Sequence, residues 1–342
     1  MSNLDISAIL KYHEDTKHSE TNISKNSLMG LDWDNKPIPL KLYQDLEPIP
    51  LVHDRSDSGI PALEAIARAP TTANRETQEI QVVDLAVLSH LLQFSAGITK
   101  IRKDPNGGKR YFRAYGNTGA LHHIDLYLIT EELSDLPAGV YHFDPQSFAL
   151  RCLREGDWRG VMVEASGNNT AVSAASVIAV SASTYWRNSW KYQARTWRHC
   201  FWDSGTMHTN LIALGAIGAL DPQLVMGWVD DSVERLLGLD PLREGALTLV
   251  PLGSSNEVPP LGPDIRQLQL ETEPLSKAEV DYPLIRSAHA ASSLVSPSEA
   301  AGWAVRVPES EQSVADRAQI ELRPLGDHAL PRDSLEQVIM RR

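Results

Sequence analysis

Between Trp190 and Asn210 the chain reads WKYQARTWRHCFWDSGTMHTN, a concentration of aromatic and basic side chains in a protein whose aromatic content is 6%. Such density suggests a site. A free lysine or tyrosine titrates near 10, so a base of either type in this stretch needs a lowered pKa to act near neutrality. Arg187, Arg195 and Arg198 are close enough in sequence to do this by charge, and Trp186, Trp190 and Trp197 can add desolvation for the lysine. If the first part of the stretch is helical, Lys191, Arg195 and Arg198 fall at i, i+4 and i+7 on one face. An ordinary amphipathic helix would turn that cationic stripe to solvent, so both readings stand at this point.

Other reactive residue types fit chemistry less well. His122 and His123 are adjacent and point to opposite faces of a strand, while His199, Cys200 and His208 lack the spacing of a metal-binding motif. No metal is expected. Cys200 beside His199 is not a nucleophile pair, because neighbouring side chains on a helix diverge by about 100°.

The whole chain narrows the class. At 342 residues it can bury a large core, and 44 acidic against 32 basic side chains give a formal net charge of −12. That charge argues against general binding to nucleic acid or to an anionic membrane. Cys152 and Cys200 are the two cysteines, and no basic-then-apolar leading segment is read, so a cytoplasmic protein without a disulfide framework is expected. The apolar run from Leu211 to Leu220 is about half the roughly twenty residues that a membrane span needs.

The elements that must position the site follow from periodicity. A short helix is expected around Ile6 to Tyr12, then a proline-spaced extended arm through LDWDNKPIPLKLYQDLEPIPL. Pro61 opens a helix, ALEAIAR, and a second helix runs from Leu85 to Phe94 toward Gly97. A glycine-punctuated loop enters a strand from Ile124 to Ile129, and Val140 to Phe143 with Phe148 to Leu153 reads as a hairpin. Glu164 to Ala175 is helix-compatible, Val177 to Ser181 is a buried strand, and Asp203 or Ser204 is placed to cap a helix through LIALGAIGAL. Its alanines and glycines would permit close approach of another helix or a planar ligand. Ser232 to Leu237 ends at Gly238, Leu247 to Leu252 is a last strand, and SSNEVPPLGPD marks a boundary near residue 255. Hairpins mixed with long helices predict an α+β fold.

In this order the segments YHEDTKHS, LDWDNKPIPLKLY, LSHLLQFSAGIT, RAYGNTGALHHIDLYLI, LPAGVYHFDP, WKYQARTWRHCFWDSG and LVPLG resemble the SagB-type azoline dehydrogenases of the nitroreductase superfamily. The resemblance implies a nitroreductase-like FMN-binding fold with a central, mostly antiparallel sheet flanked by helices. It divides the chain into an arm (1–60), a nitroreductase-like domain (61–255), and a linker with the possible start of a second copy (256–342), because LEQVIMRR echoes the entry into the first. The implied reaction turns a thiazoline or oxazoline of a peptide into an azole, with Lys191 and Tyr192 catalytic, FMN accepting hydride and oxygen reoxidising the flavin. Cofactor contacts are implied for Arg68, Arg75, Arg113, Asn117, Gly119, Ala120, Leu121 and Arg195. The family's arginine–serine phosphate signature is altered to ARAPTTANRE, and its second signature to Gly116–His123 around a retained Gly-Ala-Leu core. Implied partners are a second copy in a homodimer or a second nitroreductase-like half, with a cyclodehydratase complex around them. The alternatives are NAD(P)H-driven reduction of a nitro or quinone acceptor, for which no GxGxxG fingerprint is present, and a degenerate, non-catalytic subunit.

Overall fold

Apolar side chains that alternate from Ile124 onward build the central sheet. The computed structural model describes residues 6–19, 30–53, 56–68, 81–103, 108–304, 323 and 325–341. From edge to edge the sheet runs β1 (Pro48–Pro50), β6 (Ala149–Glu155), β5 (Gly139–Asp144), β4 (Ile124–Thr130), β7 (Val177–Thr184) and β8 (Glu244–Leu252), all neighbours antiparallel. A separate hairpin pairs β2 (Ile98–Lys103) with β3 (Lys109–Arg113). The helices are α1 (Ser7–Thr16), α2 (Ala62–Ala67), α3 (Leu85–Ser95), α4 (Arg159–Ala165), α5 (Thr170–Ala174), α6 (Tyr185–Tyr192), α7 (Thr196–Ile217), α8 (Asp230–Leu237), α9 (Pro283–Ser292), α10 (Pro297–Ala304) and α11 (Leu335–Met340).

Successive side chains of a strand face opposite ways, and here both faces are covered. Ile124, Leu126 and Leu128 pack with Leu88 and Leu92 of α3 and Met207 and Leu211 of α7. Tyr127 and Ile129 pack on the other side with Met162 of α4 and Val233 and Leu236 of α8. Strands β4, β7 and β8 are therefore buried along their whole length. Gly238, at φ +69°, ends α8 as expected, and the Asp84 carboxylate, accepting from Val87 N–H at 2.7 Å, starts α3.

Four expectations are corrected. The helix through LIALGAIGAL starts at Thr196, because Asp203 is engaged inside the fold and does not cap it. The Trp190–Asn210 stretch is broken, since Gln193 adopts φ +50°, ψ −137° and a single 3-10 turn, Gln193–Arg195, separates α6 from α7. Lys191, Arg195 and Arg198 thus lie on three different pieces and form no common stripe. Residues 164–175 split into the end of α4 and α5, with Gly167 at φ +67° between them and Asn169 capping the second.

The fourth correction concerns boundaries. Pro48–Pro50 of the arm adds an edge strand, the one sheet position that tolerates proline, and Lys41 of the arm is buried against Glu244 at 2.8 Å. Residues beyond 255 are no free linker either. Glu273 N–H donates to the Leu42 carbonyl at 2.8 Å, Trp186 Nε1 donates to Ser276 Oγ at 2.8 Å, and Ile285 and Ala288 join the main core. The LEQVIM helix lies on α2, with Leu335 and Ile339 in that same core and Ser334 bridging Pro61. Scattered apolar anchors in a proline-rich stretch carry no periodic signal, so composition alone misplaces this boundary. Among the described residues no helix is long and apolar enough to cross a membrane.

Candidate functional site

The glycine-punctuated loop and the end of α6 meet. Gly119 has φ +67°, and a Cβ built there would stand 2.9 Å from Tyr192 Oη, so glycine both permits the turn and lets the phenol approach the loop backbone. Ala120 and His122 also have positive φ, at +53° and +50°. Two non-glycine residues held in this region store backbone strain that the surroundings must over-determine, a feature concentrated at functional sites.

Asp203 of α7 is the hub that holds them. Its carboxylate accepts from Thr118 N–H at 2.8 Å, Thr118 Oγ1 at 2.7 Å and His123 Nε2 at 2.9 Å. Those bonds outweigh burial and keep the Asp203 carboxyl below the usual range. His123 is neutral, with Ser183 Oγ donating to Nδ1 at 2.8 Å, and burial lowers its pKa despite Asp203. His122 is held by Asn117 Nδ2 at 2.5 Å from its Nδ1 and by its Nε2 donating to the Tyr111 carbonyl at 2.9 Å. Burial, with Arg113 adding to it, pushes that imidazole down to about 3. Arg187 Nη1 closes the loop from behind by donating to the His122 carbonyl at 3.0 Å, while Nη2 pairs with Asp125.

Lys191, Tyr192, Asn117, Gly119, Ala120 and Leu121 are brought to one place; the arginines expected beside them are not. Lys191 is exposed and its Nζ lies 5.2 Å from the Tyr192 ring centroid. Arg187 is fully buried in the Asp125–Thr184 network. Arg195 donates to the Thr16 carbonyl, and Arg198 to the carbonyl of His13 and to Thr16 Oγ1, both at 3.1 Å. These two cations therefore terminate α1, where exposed carbonyls favour positive charge, and provide no support to Lys191. Arg113 is buried, its Nε donating to the Ala96 carbonyl beneath the Tyr115 ring. Arg68 pairs with Glu64 one turn back at 2.5 Å, and Arg75 lies outside the described residues.

His199 was not anticipated. Its ring meets the Tyr192 ring edge-on, with centroids 4.6 Å apart and planes at 88°, and Trp202 lies 5.3 Å away on the other side. Nδ1 is 2.9 Å from Asn188 Oδ1, which fixes Nδ1 as the protonated nitrogen and leaves Nε2 an acceptor; burial lowers the pKa to about 4. The helix break between Tyr192 and His199 defeats any spacing argument that would have paired them. Cys200 points into the core and burial raises its thiol to about 12, so it is structural.

A second feature flanks the same helix. Thr206 and Asn210 of α7 bond the carbonyls of Gly116 and Ala114, placing the loop along the Asp203 side. About half a turn round, Phe201, Gly205, His208 and Thr209 line an apolar groove of 340 Å³ closed by Ile66, Leu224 and Met226. Between loop and groove runs an uncovered stripe of Trp202 (54% exposed), Gly205, Thr206 and Thr209. Inside the groove His208 Nε2 contacts Ser181 at 3.2 Å and Thr248, burial lowers the imidazole to about 4, and Nδ1 has no partner among the described residues.

No family model matches this sequence. It is 24% identical over 179 residues to the trifolitoxin-processing protein TfxB of Rhizobium leguminosarum bv. trifolii, covering 48% of this chain and 46% of that protein. It is 21% identical over 173 residues to the nitroreductase-like protein MJ1384 of Methanocaldococcus jannaschii, covering 51% of this chain and 82% of that protein. The crystal structure of a nitroreductase-like protein of Anabaena variabilis superposes with a TM-score of 0.63 at 25% identity, over 85% of this chain and 55% of that one. The chain thus spans about half the length of the Rhizobium and Anabaena proteins. Its fold is the nitroreductase-like α+β fold, with a mostly antiparallel sheet flanked by helices.

Proposed function

We propose that a chain of this fold, carrying the Lys191–Tyr192 pair against the Gly119 loop, is an FMN-dependent oxidoreductase that turns azoline rings of a peptide into azoles. The contact of Tyr192 Oη with Gly119, beneath the Lys191 ammonium and beside His199, is the observation that carries the reading. Similarity to a trifolitoxin-processing protein supports action on a processed product, and similarity to nitroreductase-like proteins supports redox chemistry.

The residues present fit FMN in two half-sites. The 340 Å³ groove falls within the roughly 300–1,000 Å³ of small-molecule pockets, and its apolar walls with one unpartnered imidazole nitrogen suit a planar ring with polar edges. Ile66 of α2 borders it, and Arg68, two residues on at the end of α2, is the described cation we assign to the phosphate. The other half-site is the Asn117–Leu121 loop. Because the uncovered α7 stripe separates the two, pairing with a second nitroreductase-like unit across it would set the loop of one against the groove of the other. That unit is a second copy or a separate half, within a peptide-modifying complex that includes a cyclodehydratase.

Bound FMN supplies the hydride acceptor. Oxidising an azoline also releases a proton from the neighbouring carbon, and Lys191 or Tyr192 takes it. His199, edge-on to the Tyr192 ring, keeps water from that side of it. Purified protein is expected to show flavin absorption in the visible, with FMN released on denaturation. Colourless protein that takes up no FMN sinks the proposal. The match to MJ1384 over most of that protein favours a second reading, NAD(P)H-driven reduction of a nitro or quinone acceptor. Steady NAD(P)H oxidation by the flavoprotein, without azoline turnover, would select it.

A further inference from the structure

Away from the loop and groove, α8 and α9 bring three metal-ligating side chains together. Asp230 and Glu234 are one turn apart on α8, His289 is on α9, and their donor atoms all lie within 4.8 Å of one another. We propose that Asp230, Glu234 and His289 bind a divalent transition-metal ion that clips helix α9 to α8.

Geometry sets this cluster apart from an ordinary ion pair. His289 Nε2 and Glu234 Oε1 are 2.8 Å apart, yet Oε1, on a side chain 6% exposed, has no hydrogen-bond partner among the described residues. Two donor atoms that converge without hydrogen-bond alignment are arranged as ligands of one centre are. Donors about 2.1 Å from a tetrahedral zinc are about 3.4 Å apart, so the 2.8 Å His289–Glu234 pair opens by about 0.6 Å and donors up to 4.8 Å apart close by up to about 1.4 Å when the ion enters. Asp230 Oδ2 is already oriented by Leu294 N–H at 2.8 Å, the outer-shell bond that ligating carboxylates usually have.

The surroundings supply a second and independent sign of a missing ligand. Asp230 and His289 open onto a 290 Å³ cavity that Trp228 also lines; Trp228 is 5% exposed and its Nε1 has no partner. Tyr185 Oη, equally orphaned and 4% exposed, crowds the same point beside Gly245 as His289 Cε1. Two buried donors without acceptors, one lining the same cavity and one near His289, suit a water or carboxylate held on the ion's open position. Two carboxylates against one imidazole leave a buried negative excess that a dication would offset, and a mixed oxygen and nitrogen set favours zinc, manganese, iron or cobalt over magnesium or calcium.

The test uses the full chain, untagged, stripped with chelator and dialysed against Zn²⁺, with bound metal measured by elemental analysis and Co²⁺ followed by its visible ligand-field bands. Wild-type protein is expected to hold one equivalent, H289A none, and E234Q to bind more weakly than the roughly 10–100-fold loss usual for an outer-shell change. Y192F, altered in the flavin site, is expected to bind Zn²⁺ as wild type does. Circular dichroism in chelator identifies any variant that fails to fold, and wild-type stoichiometry decides the proposal regardless. No stoichiometric metal on wild type, or undiminished binding by folded H289A and E234Q, overturns it.

Discussion

Tyr192 closes over Gly119 so that a Cβ there would stand 2.9 Å from the phenol oxygen and 3.1 Å from the ring. Backbone and catalytic candidate are therefore one mechanical unit. G119A forces a side chain into a left-handed position and displaces the phenol. The expected outcome is a stability loss of about 1–2 kcal/mol in urea unfolding, with a larger fractional fall in azoline turnover than in substrate affinity.

Y192F and K191A should leave the unfolding midpoint nearly unchanged, since Lys191 is exposed and Phe keeps the contact with His199. Each should lower kcat by about 10²–10⁴-fold if the residue moves the proton. Steady-state kinetics on flavin-loaded protein separates them, and unchanged kcat in both variants rules the pair out of the chemistry.

D203N tests the hub. The amide cannot accept from all of Thr118 N–H, Thr118 Oγ1 and His123 Nε2 at once, so a buried donor is left without a partner at about 1–3 kcal/mol. Chemical denaturation should read that loss, and flavin retention should fall with it.

Stability should decline as pH is lowered from about 6.5 toward 4. His199 and His208 are each pushed to about 4 and His122 to about 3, chiefly by burial, so all three are neutral when folded. The unfolded chain binds those protons near pH 6.5, which favours unfolding by up to about 1.4 kcal/mol per pH unit per histidine until the folded value is reached. His289 runs the other way: Glu234 raises its pKa, so its contribution is present below about 6.5 and fades as pH rises through the folded value. Denaturant midpoints should therefore increase with pH from about 4 to about 6.5 and rise no further above it, and H208N should flatten the rise.

K41M breaks the arm's buried ion pair with Glu244, whose side chains are 8% and 10% exposed. Leaving Glu244 buried without its cation should cost about 3–5 kcal/mol, measurable as a fall in Tm. The E244Q/K41M double variant should recover part of it.

Local physics made much of this protein legible before its structure was seen. The α+β class, the hairpin at 139–155, the helix α3 and α8 with its stop at Gly238 follow from periodicity and turn residues. Tertiary structure alone decided that Gln193 breaks the aromatic stretch and that Arg195 and Arg198 serve the end of α1. It also joined Asp203 to His123 across 80 residues, set His199 against Tyr192, and drew Lys41 and the residues beyond 255 into the core. The physical reason is range: caps and alternation act within a few residues, whereas a buried cation, carboxylate or imidazole takes whatever partner the packing of distant segments brings within about 3 Å.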